Sequence, residues 1–183
     1  PQQFLSGFAE MLKTGLIDSS ALWNSLLQYD LDKMDTASLF PLIADCMAVK
    51  QRIVAHDPQE NGMRKVLNFG HTFGHALERK MQVPHGYAVL YGMIAELYLS
   101  VTRLNCPREL LQQLTLRKLQ YYGKPACKCS DIDQLLALMR QDKKNEHAVD
   151  INCTLLQAVG APLINQSIGS SDANEALDYL FSL

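Results

Sequence analysis

Tyr87 to Leu104 reads YAVLYGMIAELYLSVTRL. Val89, Leu90, Met93, Ile94, Leu97, Tyr98 and Val101 leave almost no polar face on a helix of that length. A helix apolar nearly all round belongs at the buried centre of a bundle. Pro84-His85-Gly86 breaks the chain just before it. Upstream of the break, Arg64 to Glu78 reads RKVLNFGHTFGHALE, and His71 and His75 stand four apart in it. As one continuous helix this run places Arg64, Asn68, His71, His75 and Glu78 on a single face. Such a stripe suits a metal or an anion, whereas a buried, hydrogen-bonded histidine pair is the alternative. Gly70 and Gly74, each costing about 1 kcal/mol relative to alanine inside a helix, clear a strip for another backbone or a ligand.

Helical spacing continues on both sides. Phe4, Leu5, Phe8 and Leu12 predict a first helix over residues 3–14, ended by Gly15. Ser19 or Ser20 caps a second helix through Trp23, and Asp35 or Thr36 a third, which Asp57-Pro58 stops. Pro41 fits that helix only in its first turn. After Leu104, Pro107 opens a helix closing near Gly123, Ser130 caps another, and Ser171 caps a last one. Between them the period changes to two: Val149, Ile151, Cys153 and Leu155 alternate with polar residues and predict a strand, paired with Leu163 to Ile168 through a turn at Gly160-Ala161-Pro162. The predicted fold class is mainly α, a multi-helix bundle with one small β-hairpin, in a single domain over residues 1–183.

Composition narrows the function. The 183 residues suffice for one well-packed core. A net charge of −2 gives no reason to expect nucleic acid or an anionic membrane as partner, and no apolar run approaches the length of a bilayer span. The five cysteines are odd in number and mostly scattered, which reads as free thiols in a reducing compartment, the cytoplasm. Pro1-Gln2-Gln3 runs into a helical pattern without a starting methionine, as at a boundary between domains.

An open zinc site needs three protein ligands. His71 is one candidate, His85 in the following break a second, and Glu10 on the opening helix the natural carboxylate. Each also has an ordinary reading: His85 as a surface-loop residue, Glu10 as half of a solvated ion pair with Lys13 three residues on. Lys13, Lys50, Arg64 and the pair Lys143-Lys144 make a plausible seat for a phosphorylated or carboxylated ligand if they converge. Solvent-exposed lysines at helix ends are the competing account.

Five blocks carry a recognisable pattern: GFAEMLKTGLI (Gly7 to Ile17), K-x-x-I-V-x-x-D-P-x-E-x-G-x-R (Lys50 to Arg64), LNFGHTFGHALE (Leu67 to Glu78), HGYAV (His85 to Val89) and DKKN (Asp142 to Asn145). In order and spacing they resemble 3-dehydroquinate synthase, specifically its C-terminal, mainly helical domain; the Rossmann-like domain carrying most of the NAD site is absent. The resemblance implies conversion of 3-deoxy-D-arabino-heptulosonate 7-phosphate to 3-dehydroquinate and phosphate, in the shikimate pathway. It implies Zn2+ or Co2+ held by Glu10, His71 and His85, catalytic roles for His75, Lys13 and Lys50, and substrate binding by Arg64, Asn68 and one of Lys143 and Lys144. It also implies NAD as cofactor, a homodimer when full length, and no turnover by this chain alone. HGEAV is the expected form of the fourth block, so Tyr87 replaces a glutamate that would support His85. Another sugar-phosphate cyclase, a metal-dependent alcohol dehydrogenase and a non-catalytic helical domain are the rival readings; a simple alcohol would not need Lys50, Arg64 and the DKKN block.

Overall fold

A computed structural model of the chain describes residues 2–141 and 150–183. In order, the elements are α1 (Gln2–Asp18), α2 (Ser20–Gln28), α3 (Thr36–His56), a 3-10 turn (Met63–Asn68), α4 (His71–Met81), α5 (His85–Leu104), α6 (Arg108–Arg117) running into a π turn (Lys118–Tyr122), a 3-10 turn (Cys129–Asp131), α7 (Ile132–Arg140), β1 (Ile151–Ala158), β2 (Ala161–Ile168) and α8 (Ser170–Ser182). The mainly α bundle with a single antiparallel hairpin agrees with the periodicity. The segment holding Lys143 and Lys144 lies outside the described residues.

α5 is the axis. Val89, Leu90, Met93, Ile94 and Leu97 are fully buried, and α1, α4, α6, α8 and β1 all pack against it. Burying side chains of this kind stabilises the fold by roughly 1.5–3 kcal/mol each. Ser100, near its end, donates to the Glu96 carbonyl at 2.7 Å and accepts from the Leu156 N–H at 2.9 Å, tying the hairpin to the same axis. The hairpin runs from the Ile151–Ile168 pair to Ala158–Ala161, with register shifts on either side of the Leu155–Leu156 step. Its turn docks on α1 through a hydrogen bond from Gly160 N–H to the Leu16 carbonyl. Among the described residues no helix is long and apolar enough to cross a membrane. The five cysteines are free, four of them buried.

Local chemistry accounts for most boundaries. Ser19 accepts from the Leu22 N–H and starts α2; the Asp35 carboxylate accepts from Ala37 and Ser38 and starts α3. Pro41 sits one turn further into α3 than expected. Without an N–H it leaves the Ala37 carbonyl without its helical partner, but Pro41 and Ala37 are both exposed, so water can take that bond. α1 does not stop at Gly15. It continues to Asp18, and Gly15 lies buried inside it where Trp23 of α2 crosses.

The main departure concerns the run 64–78. It is not one helix. A 3-10 turn ends at Asn68, Gly70 takes φ +80°, and α4 begins at His71. A left-handed residue cannot continue a right-handed helix, and glycine is the residue that adopts it at least cost. The strip cleared by the glycines is filled by α5, not by a ligand. A Cβ on Gly92 would lie 2.0 Å from the Gly70 carbonyl oxygen, and one on Gly74 3.2 Å from that of Ala88. α5 likewise begins at His85, two residues before the expected start, with Pro84 in the cap position.

Since backbone and not a flexible side chain opposes any added atom there, Gly92→Ala should destabilise the chain by about 3 kcal/mol. Urea denaturation checks this; a loss below about 1 kcal/mol would mean that the two helices can separate cheaply.

Candidate metal and anion site

Three elements meet at the N-terminal ends of α4 and α5. α1 brings Glu10 and Lys13. α4 brings His71, and α5 brings His85 as its first residue. Gly86 fixes the approach of α5 to α1: its N–H donates to Ser6 Oγ at 2.9 Å, and a Cβ there would overlap the Ser6 carbonyl. Lys50 reaches in from α3, and Arg64 and Asn68 from the 3-10 turn. With Glu60, Val54 and Leu67 these residues line one cleft of about 480 Å³.

Glu10 divides its carboxylate between two tasks. Oε2 takes Lys13 Nζ at 2.7 Å and Lys50 Nζ at 3.4 Å. Oε1 is buried and accepts no hydrogen bond among the described residues, yet lies 3.7 Å from His71 Nε2 and 3.5 Å from His85 Nε2. Tetrahedral zinc bonded to nitrogen and oxygen near 2.1 Å sets its ligands roughly 3.4 Å apart. Both Glu10–histidine distances are close to that, and the three ligand atoms all lie within 4.8 Å of one another. The donor set therefore fits a divalent metal with an open position.

Both imidazoles are aimed from behind. His71 Nδ1 is 3.1 Å from the Phe69 carbonyl oxygen, which can only accept, so the proton sits on Nδ1 and Nε2 carries the lone pair. His85 Nδ1 donates to Glu78 Oε2 at 3.0 Å, with the same consequence. Glu78 thus fills the place in which a glutamate at position 87 was expected. Tyr87 instead packs edge-on against Tyr122, centroids 4.9 Å apart.

Burial and charge set the protonation states. Burial raises the Glu10 carboxyl pKa, but Lys13, by charge and hydrogen bond, with His71 and Lys50, outweighs this and brings it to about 2. Burial lowers His71, and Lys13 adds to the effect; Glu10 opposes them, and the result is about 3. Lys13 is only 3% exposed, so it is not the solvated partner that spacing alone allows. Burial lowers its pKa and Glu10 pulls it back up. At neutral pH the site therefore presents an ionised carboxylate and a neutral imidazole, the states in which both bind metal.

The connector between α3 and the 3-10 turn is ordered by Asp57, whose carboxylate accepts from the N–H groups of Asn61, Gly62 and Arg64. Arg64 then donates to the Pro58 carbonyl at 2.9 Å, and Asn68 to Glu60 Oε1 at 3.0 Å. Of the residues singled out from sequence, Glu10, Lys13, Lys50, Arg64, Asn68, His71 and His85 share the cleft. His75 does not line it. Its ring packs against those of His71 (5.3 Å) and His85 (6.1 Å), and it opens onto a neighbouring cleft of about 380 Å³ beside Thr72, Met139 and Gln141. Asp57, Glu60 and the supporting role of Glu78 were missed. Glu78 has a visible signal, one helical turn beyond His75, but its target His85 lies on another helix.

Two outcomes follow for the metal-free chain. In the unfolded state His71 takes up a proton near pH 6.5, whereas in the folded state it does so near 3. The unfolded state thus binds more protons between those values, and stability falls as pH drops through that window. Glu10 adds to the loss only below 4.5. Between pH 6.5 and 4.5 the loss should be about 2 kcal/mol, and His71→Gln should flatten it, as measured by chemical denaturation across pH. Separately, Glu78→Ala should weaken zinc binding roughly 10–100-fold in a chelator competition, because His85 loses the group that orients it.

The sequence profile described as 3-dehydroquinate synthase C-terminal matches residues 7–145. The 3-dehydroquinate synthase of Parabacteroides distasonis is 46% identical over 180 residues, covering 96% of this chain and 51% of that protein. That of Listeria monocytogenes is 36% identical over 168 residues, 89% of this chain and 46% of the relative. The chain spans about half the length of the curated relatives it matches. Two solved structures share the fold. One is a 2-deoxy-scyllo-inosose synthase complexed with carbaglucose-6-phosphate, NAD+ and Co2+ (TM-score 0.78, 21% identity, 98% of this chain and 52% of that one). The other is a 2-epi-5-epi-valiolone synthase from Streptomyces hygroscopicus with NAD+ and Zn2+ bound (TM-score 0.78, 18% identity, 97% and 51%). With the profile spanning most of the chain and 46% identity over 96% of it, the protein belongs to the 3-dehydroquinate synthase C-terminal family.

Proposed function

We propose that this chain is the metal- and substrate-holding half of a 3-dehydroquinate synthase. The whole enzyme converts 3-deoxy-D-arabino-heptulosonate 7-phosphate to 3-dehydroquinate and phosphate within the shikimate pathway, in the cytoplasm and as a homodimer. The observation that carries the reading is the divided Glu10 carboxylate, one oxygen facing two imidazole Nε2 atoms and the other facing two lysines. A bound Zn2+ or Co2+ would supply Lewis acidity toward substrate hydroxyls, and NAD, held mainly by a separate N-terminal domain, would supply reversible oxidation.

The chain's own residues supply position and charge. Glu10, His71 and His85 would hold the metal where α1, α4 and α5 meet in the cleft. Lys13, Lys50 and Arg64 bring three positive charges to its wall, and their chemistry suits a phosphorylated sugar acid. Lys13 is buried and fixed by Glu10, so it offers a donor whose direction does not wander. Asn68, whose amide NH2 donates to Glu60, can offer its Oδ1 to a hydroxyl. His75 stands behind the two metal-facing imidazoles, where it can relay a proton to a group entering from its own cleft. One of Lys143 and Lys144 is assigned to the substrate on the resemblance alone.

Phosphate release from the heptulosonate phosphate by the full-length enzyme tests the proposal. His71→Ala should reduce it to background with the fold intact by circular dichroism, and the 183-residue chain alone should give no NAD-dependent turnover. Retained activity of the His71 variant would remove the metal role. Preference for a different sugar phosphate across a substrate panel would move the assignment to another cyclase on the same scaffold.

A further inference from the structure

Glu96 is a carboxylate on the central helix with none of its surface exposed. Met93 and Leu97 beside it are equally buried and apolar, so packing α5 does not by itself call for an acid there. Its Oε2 accepts a short hydrogen bond, 2.6 Å, from the Gly70 N–H. That N–H and the Phe69 carbonyl belong to one trans peptide unit and point to opposite sides of it. The carbonyl side accepts from His71 Nδ1–H at 3.1 Å. The order is therefore carboxylate, peptide, imidazole, with His71 Nε2 at the outer end, 3.7 Å from Glu10 Oε1.

We propose that Glu96 is a positioning residue for His71, acting through the Phe69–Gly70 peptide as Glu78 acts directly on His85; this rests on Glu10, His71 and His85 being a site for a divalent metal. A carboxylate accepting from a peptide N–H polarises that peptide and puts more negative charge on its oxygen. The stronger acceptor holds the proton on Nδ1, fixes the ring plane and raises electron density at Nε2. The same bond pins Gly70 in its left-handed conformation, which sets where α4 begins and therefore which way its first residue, His71, projects. Each histidine facing Glu10 thereby has its own buried or half-buried glutamate behind it.

The test compares the 183-residue chain with Glu96→Gln, which keeps an acceptor oxygen but loses the charge, and Glu96→Leu, which loses both. Nitrogen-15 NMR of the imidazoles in the metal-free wild type should show His71 as the Nδ1–H tautomer with a downfield Nδ1 proton. In Glu96→Gln that proton should move upfield while the His85 resonances stay in place. Chelator competition should give roughly tenfold weaker zinc binding, and a larger loss in Glu96→Leu. A wild-type His71 in the Nε2–H form overturns the proposal. So does a folded Glu96→Gln variant whose melting temperature falls while its His71 resonances and zinc affinity, within about twofold, do not change. Should neither variant fold, the wild-type Gly70 amide decides: a downfield proton shift with slow exchange supports the bond to Glu96, and an unshifted, fast-exchanging amide overturns it. If the wild type takes up no zinc, the metal reading fails and the imidazole shift alone judges the relay.

Discussion

The structure depends on one backbone contact, the crossing of α4 over α5 at Gly70 and Gly92. Side-chain atoms on Gly92 would stand 2.0 Å from the Gly70 carbonyl, so the helices approach as closely as backbone permits. This proximity brings the Glu96 carboxylate within reach of the Gly70 amide and sets His71 beside His85. It also explains why the helix must break where it does. A helix continuing unbroken through residues 64–78 would present Gly70 in a right-handed conformation and leave its N–H committed to its own ladder, not to α5.

Around that crossing the site is organised by charge, with its inner cation withdrawn from water while Lys50 and His85 stay open to it. Lys13 is buried, and a buried ammonium is tolerated only with a partner at hand. Glu10 is that partner, and the pairing keeps the carboxylate ionised down to about pH 2. Because the lysines occupy only Oε2, the other oxygen remains directed at the two imidazoles. The same pair thus serves both the lysine-lined wall and the histidine-lined side of the cleft.

Several features were legible because their causes are local. Ser19 and Asp35 as caps, the apolar circumference of α5 and the alternation through Ile151, Cys153 and Leu155 all follow from side-chain period and backbone capping. The strand begins at Ile151, with Val149 outside the described residues. Other features resisted reading because the deciding partner is distant in sequence. Gly15 looks like a terminator until Trp23 is seen to cross it. Glu78 reads as one more member of the stripe along 64–78 until His85, on another helix, is seen to donate to it. Lys13 at three residues from Glu10 fits a solvated pair equally well until tertiary packing leaves it only 3% exposed.

By itself the sequence determined the fold class, the hairpin and the residue types of the site, since helical and strand periods and the order of the motif blocks are properties of the chain alone. The i, i+4 spacing of His71 and His75 does bring their rings together on one side of α4, edge to face. Only the tertiary structure decided that His71 joins His85 and Glu10 in a group whose geometry could hold a metal ion, while His75 turns toward a second cleft. That choice comes from the left-handed turn at Gly70 and the contact of Gly86 with Ser6. Both depend on how closely separate helices can approach, which the spacing of residues along one helix does not contain.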